Sequence, residues 1–374
     1  MVWDVIVVGC GVVGAAISYQ LAASGLSVVC LDAAAPASAS TGAALGVLMG
    51  VSSQQVSGEV VQLRLKSWQA FEPLIAQLEA DCRQVIPVNR HGLLHLLPPG
   101  SLSDWQATLE ARQAAGYRLE VLDPQQINCL QAGLGEGYDA AIYSPHDRQI
   151  EPQVFTRALI QAAAQRGTQF HFYQAVTHFQ AGHQQVRSVH TAQETFSSRW
   201  VVLAAGLGSA RLAGLRLQPV KGVALSVESP HVCLNPVITA ADTHLIPRGD
   251  GSIWVGATVE FQFGIPSPTL TDLATLIQRA TAICPGLATA TLQQAWAGLR
   301  PRPQQQRAPI LGLAAPYDNL IVATGHYRNG VLLAPITAQI VRDLILEGET
   351  SLCDLSYFSP PIIKEQAVLL PNDF

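Results

Sequence analysis

Three groups of residues in this chain have types and spacings that could do chemistry. The first is Gly9-Cys10-Gly11-Val12-Val13-Gly14, followed 18 residues beyond Gly14 by Asp32. Glycines so placed allow a tight turn and a close backbone approach to a pyrophosphate, and an acid at that distance can hold ribose hydroxyls. The second group, near the end, is Gly325-His326-Tyr327-Arg328-Asn329-Gly330. Its two glycines permit positive φ, so several N–H groups can converge ahead of a helix and favour a developing anion. On local pattern alone it is equally a Gly-rich turn with no ligand. The third is Arg300 in Trp296-Ala297-Gly298-Leu299-Arg300-Pro301. An arginine held between apolar residues and a proline can present a planar fork to a carboxylate, or simply end a strand in solvent.

The elements around these residues follow from periodicity. Residues 5–8 form an apolar run expected of a buried parallel strand. The pattern predicts a helix over 15–24 ended by Gly25, and a second strand over 26–31 ending at Asp32. Together these make a complete βαβ dinucleotide unit. Asp32 disfavours a 2′-phosphate and hence NADP, without separating NAD from FAD. After it the chain passes through an irregular small-residue stretch, 33–48, which can run along a cofactor toward a flavin ring or lie as a surface loop. A reduced flavin, negative over N1 and O2, is the kind of anion the 325–330 loop would suit.

A long amphipathic helix is expected from Val60 to Leu78, with a bend at Pro73. From about residue 86 the chain turns β-rich. His91 and His95 fall in a predicted strand, which rules them out as a helical metal pair. Ser103 and Asp123 read as N-caps, and Glu151-Pro152 opens a helix to Gly167. Further strands are predicted at 139–144, 169–172, 200–206, 220–227, 244–247 and 252–258, with a hairpin turn at 248–251. Thr271 reads as the cap of a helix to Cys284, Pro301 as a rigid turn after a strand, and Pro335 as the start of a helix over 336–346, after a strand at 319–324.

With 374 residues, 49% hydrophobic and 13% charged, the chain reads as globular. A formal charge of −5 with no basic cluster argues against nucleic acid or an anionic membrane as partner. Seven dispersed cysteines without a CxxC pair suggest neither a metal site nor a disulfide framework, so a cytoplasmic location is expected. The apolar start lacks a basic head and carries Asp4, Gly9, Gly11 and Gly14, and is read as folded core.

These motifs, with residues 41–48, 145–152, Ala204-Ala205-Gly206 and Gly256-Ala257-Thr258-Val259-Glu260, together resemble the D-amino-acid oxidase superfamily, and within it the glycine oxidases of thiazole (thiamine) biosynthesis. The resemblance implies an α/β FAD-binding domain of the glutathione-reductase type, Rossmann-like, with an α+β substrate domain containing an antiparallel sheet. It places the FAD domain in 1–85, 145–217 and 301–374, and the substrate domain in 86–144 and 218–300. Non-covalent FAD would meet Gly9, Gly11, Val12, Val13, Gly14, Asp32, Ser40, Thr41, Leu45, Gly46, Val47, Val176, Gly206, His326, Tyr327, Asn329, Gly330, Val331 and Leu332. Arg300 falls on the family's carboxylate-binding arginine and Arg328 on a second arginine near substrate. His244 stands where a tyrosine is usual and could help hold the carboxylate.

The activity so implied is oxidative deamination of glycine or another small amine, with O₂ as acceptor and H₂O₂ as product. Sarcosine or D-amino-acid oxidases, quinone-reducing dehydrogenases and a non-catalytic flavin-binding module are the rivals. Absence of cysteine from 300–309 argues against a covalent flavin, and Arg300 with Arg328 argues against the non-catalytic module. Association into a homo-oligomer is expected.

Overall fold

The computed structural model describes residues 2–363. One sheet is built on Val2–Val8, flanked in parallel by Val28–Leu31 and Thr195–Leu203. Gln169–His171 extends it beyond Val28–Leu31. The strand Thr195–Leu203 changes partners along its length. Its first half pairs with the antiparallel hairpin Val176–Gly182 and Gln185–Thr191, and its second half runs parallel to Leu320–Thr324, which pairs with Ile310–Leu313. Val5, Ile6, Val7 and Val8 are buried, as a strand covered on both faces requires. The covering helices Val12–Ala23, Glu59–Cys82, Pro152–Gln165 and Gly330–Leu346 share one apolar core.

The second large sheet has the order Thr291–Pro303, Leu217–Glu228, Ser252–Gly256, Thr243–Pro247, Val237–Ala240, Leu93–Leu97, Ala140–Ser144, Glu120–Leu122. All its pairings are antiparallel except Val237–Ala240 with Leu93–Leu97. A small third sheet joins Val47–Leu48 and Val88–Asn89 to Arg148–Ile150.

Several expectations are corrected. The helix expected to open at Pro335 begins at Gly330, with Pro335 inside it. The Ser67 hydroxyl enters its ladder here, donating to the Leu332 carbonyl at 2.6 Å and lying 3.4 Å from the Ile336 nitrogen. The cap expected at Thr271 is Thr269, because only Thr269 has an acid three residues on. Its hydroxyl accepts from Asp272 N at 3.2 Å and Asp272 accepts from Thr269 N at 2.8 Å. Ser103 caps nothing: a 3₁₀ turn, Ser101–Trp105, leads into the helix Gln106–Ala114, anchored by buried Trp105 against the His95 ring. Asp123 does form the expected capping box with Gln126.

Pro301 ends nothing either. The strand runs on to Pro303 along a sheet edge, where a missing N–H forfeits no ladder bond. His91 lies outside the strand Leu93–Leu97, because Gly92 at φ +80° breaks the alternation before it. The stretch Tyr327–Leu346 is long and apolar enough to cross a membrane, but most of it is buried inside the protein, as fits a core helix.

Candidate active site

Three parallel strands, Val2–Val8, Thr195–Leu203 and Leu320–Thr324, lie side by side and each leads into a glycine of positive φ: Gly9 at +104°, Gly206 at +57°, Gly325 at +71°. Ligands of open α/β sheets bind outside such carboxyl ends. A Cβ on Gly9 would stand 2.6 Å from the Ala204 carbonyl oxygen, and one on Gly14 only 1.8 Å from that of Gly9. The fingerprint glycines are thus fixed by the neighbouring backbone. Gly11 caps the helix Val12–Ala23 without a side chain, and Thr41 Oγ1 accepts from Val12 N at 3.0 Å. Asp32 accepts from the backbone N–H of Cys10 and, at 2.9 Å, of Ala34. Gln174 N donates to the Asp32 carbonyl at 2.8 Å, which brings the chain leading to Val176 beside that residue.

From Thr41 the chain crosses to the face of the second sheet. The Ser40 hydroxyl donates to the Leu299 carbonyl, Trp296 Nε1 donates to Ala43 O at 3.2 Å, and Gln149 Nε2 donates to Leu45 O at 3.0 Å. Gly46 at φ +73° lies against Ile150 O, where a Cβ would come within 1.8 Å, and Val47 pairs with Gln149.

The register of the second sheet assembles the other half of the site. His244, Gly256, Ala224 and Trp296 are successive cross-strand partners and share one face. Gly298 and Arg300 follow Trp296 on that face by strand alternation, opposite Gly222 and Val220. Each glycine of this floor makes room for something. Leu45 lies over Gly256, Ala43 over Gly298, and the Arg300 guanidinium over Gly222.

Arg300 Nη1 donates to Lys221 O at 3.2 Å and Thr258 O at 3.1 Å. Among the described residues no carboxylate forms an ion pair with it. Burial, and then nearby Arg328, push its pKa below the usual arginine value. A carboxylate ligand would relieve that cost.

His244 Nδ1 lies 2.8 Å from Thr239 Oγ1, the side chain facing it on the next strand. Burial, then Arg328, lower its pKa to about 4 against an opposing effect of Asp242, so the ring is neutral at pH 7. Arg328 pairs with Asp242 at 3.1 Å, and the turn Tyr327–Asn329 packs on the strand Thr291–Pro303. Tyr327 holds φ +53°. His326 is buried, 3.0 Å from Thr337 Oγ1, its pKa lowered by burial to about 4. Asn329 precedes Gly330 at the helix start with no side-chain cap, and Val331 and Leu332 are buried in the first turn.

Sequence reasoning missed the frame behind Arg300. Lys221, 2% exposed, binds Glu260 at 3.0 Å and Asp272 at 2.9 Å. Burial alone would lower its pKa, but these two acids raise it. Glu260 also accepts from Thr258 Oγ1 at 2.6 Å and joins Lys221 through a backbone bridge. A lone lysine in the apolar run 220–227 was the available signal. Arg248, packed on the Trp254 ring at 4.0 Å and ion-paired with Glu151, ties the hairpin tip to a helix N-cap.

A profile of FAD-dependent oxidoreductases, DAO, matches residues 4–344. The chain belongs to this family. It is 34% identical over 361 residues to the bifunctional protein ThiO/ThiG of Synechocystis sp., covering 93% of this chain and 52% of that protein. It is 30% identical over 351 residues to glycine oxidase of Bacillus licheniformis, covering 92% and 93%. Thus the chain spans about half the length of the bifunctional relatives it matches and nearly all of the single-function one. The crystal structure of glycine oxidase from Geobacillus kaustophilus superposes with a TM-score of 0.89 at 29% identity, over 96% of this chain and 98% of that one.

The family cofactor is FAD, and the residues fit it. The helix start at Gly11 carries no side chain, Asp32 keeps lone pairs on both oxygens, and a Cβ at Gly206 would meet only open space. Among the described residues no group of three or more His, Cys, Asp or Glu side chains could hold a metal ion.

Proposed function

We propose that the chain is a flavin-dependent oxidase of glycine and other small amines, yielding imine and then 2-oxo acid, ammonia and H₂O₂. The observation that carries this reading is Arg300. It is a part-buried guanidinium, without an acidic partner among the described residues, on the same sheet face that receives the 43–47 segment. Such a group binds a carboxylate strongly because the desolvation has already been incurred by folding.

Arg300 would hold the substrate carboxylate, and neutral His244 would hydrogen-bond to it from the far end of the floor. Ala43, Leu45 and Trp296 exclude water from the region between. FAD, held by Gly9 to Gly14, Asp32, Ser40, Thr41, Val176, Gly206 and the 326–332 segment, supplies a two-electron acceptor. The N-terminal end of the helix Gly330–Leu346, which carries no side-chain cap, would favour negative charge nearby. The substrate must present a neutral amine, and no side-chain acid is needed to remove the Cα hydrogen.

Segments 1–85, 145–217 and 301–374 supply the first sheet and 86–144 with 218–300 nearly all of the second, which supports the proposed FAD and substrate domains; residues 364–374 lie outside the described part. All seven cysteines are free, in keeping with a reducing cytoplasm. Fusion of the matching segment within ThiO/ThiG relatives supports a role in supplying the imine for thiazole synthesis.

The test is H₂O₂ release by the yellow purified protein with glycine, sarcosine, D-alanine and D-proline at equal concentration. Peroxide with glycine foremost supports the reading. Flavin bleached anaerobically without peroxide would make the protein a dehydrogenase, and flavin never bleached would remove the oxidase assignment.

A further inference from the structure

Two guanidinium groups serve this site, and they are not equivalent. Arg300 has no acidic partner among the described residues, whereas Arg328 is paired at 3.1 Å with Asp242. Asp242 stands in the tight turn between Val237–Ala240 and Thr243–Pro247, two residues before His244, where Ala241 takes φ +48°. Arg328 stands on the turn Tyr327–Asn329, which packs on the strand carrying Arg300. The Arg328–Asp242 pair therefore spans from one wall of the site to the other. Both side chains are half-exposed, at 44% and 60%, so they can be reached from solvent. His244, two residues after Asp242, is kept neutral by burial first and then by Arg328 and Arg300, against the opposing effect of Asp242.

The charge count follows. Arg300 and Arg328 bring two positive charges, Asp242 removes one, and His244 is neutral. Behind Arg300, on the other face of the sheet, Lys221 is shared by Glu260 and Asp272, with Glu260 also bound by Thr258, and this group is outside the count for the rim and floor. The rim and floor thus offer one net positive charge, which a single carboxylate on a neutral amine cancels. A second anionic group on the substrate would have to displace Asp242 from Arg328 or lie beside its carboxylate.

We infer that Asp242 is a specificity-determining residue: by occupying Arg328 it restricts the site to amines bearing one carboxylate and turns away those bearing a second anionic group. The inference rests on the amine-oxidase reading above. Its test compares sarcosine with iminodiacetate, which differ by one carboxylate, in wild-type holoenzyme and in Asp242→Asn. The ratio of kcat/KM for iminodiacetate over sarcosine should rise about tenfold in Asp242→Asn, as expected for removing a like charge a few ångströms away near a surface. It should remain at the wild-type value in Asp242→Glu, which keeps the charge. In Asp242→Asn/Arg328→Met the gain should vanish, since Arg328 is the group released. An unchanged ratio in Asp242→Asn, or equal rates on both substrates in wild type, would overturn the assignment.

A second readout needs no turnover. Calorimetric binding of malonate relative to acetate by the holoenzyme should improve in Asp242→Asn by a similar factor. If neither amine is oxidised but malonate gains, the oxidase reading fails while the role of Asp242 stands; if malonate does not gain, Asp242 has no such role.

Discussion

The guanidinium of Arg300 lies directly over the α-carbon of Gly222, so that a Cβ at residue 222 would stand 2.2 Å from Nη2 and 2.4 Å from Nη1. The obstacle is the tip of a flexible side chain. Gly222→Ala should therefore fold, with an unfolding free energy within about 1 kcal/mol of wild type, yet move Arg300 off its two carbonyls. We expect KM for the amino acid to rise roughly tenfold with little change in kcat, one charge-assisted contact being misplaced. Steady-state kinetics beside a urea melt checks both halves, and an unaltered KM would separate the 222 backbone from the site.

Removing the fork itself should go further. Arg300→Ala should raise KM for carboxylate substrates by a factor corresponding to about 1.5 to 3 kcal/mol. Unchanged kinetics would take Arg300 out of the site.

At the other end, Gly11 and Gly14 should fail differently. A Cβ on Gly11 meets only Thr41 Oγ1 at 3.1 Å, whereas one on Gly14 runs into backbone oxygen at 1.8 Å. Gly11→Val should give folded but colourless apoprotein, its side chain standing where the pyrophosphate approaches. Gly14→Ala should lose stability as well, because backbone must shift. Visible absorption and circular dichroism distinguish the two, and a yellow Gly11→Val protein would sink the fingerprint assignment.

Lys221→Met leaves Glu260 and Asp272 facing each other without the cation between them. Breaking a buried network in this way costs about 3 to 5 kcal/mol, and denaturant unfolding should show it. Methionine keeps the packing, so a loss below about 1 kcal/mol would mean that the lysine contributes little beyond its volume.

The buried histidines predict a pH dependence. His326 and His95 titrate in the folded protein near 4 and 3, pushed down by burial, against an ordinary value of 6.5. Between those values and 6.5 the unfolded chain binds protons that the folded protein does not, so stability rises with pH. It is fully present above about pH 6.5 and is lost as the pH falls toward 4, on the order of 3 kcal/mol for His326. Urea midpoints at pH 7.5, 5.5 and 4.5 should decline in that order, and His326→Asn should flatten the slope. A midpoint independent of pH over this range would contradict the burial of these rings.

Local chemistry was legible in the chain itself. The fingerprint glycines, the apolar parallel strands, the Asp123 capping box and the loop before the last helix follow from residue types within a few positions of one another, and Asp32 from its place at the end of the second strand of one βαβ unit. Misreadings were also local in origin. Thr271 and Ser103 look like caps until one asks which acid or apolar anchor completes the turn. Pro301 and Pro335 look like boundaries until an edge position or a hydroxyl from Ser67 makes them tolerable inside an element.

Only the tertiary structure decided the substrate face, because it depends on register between strands far apart in sequence. His244, Gly256, Ala224 and Trp296 align across four strands, Gly222 makes room for Arg300, and Lys221 reaches Glu260 and Asp272. A shift of one residue in any of these pairings would turn the side chains of that strand to the other face, so the sequence determines which groups exist and the sheet determines which of them meet.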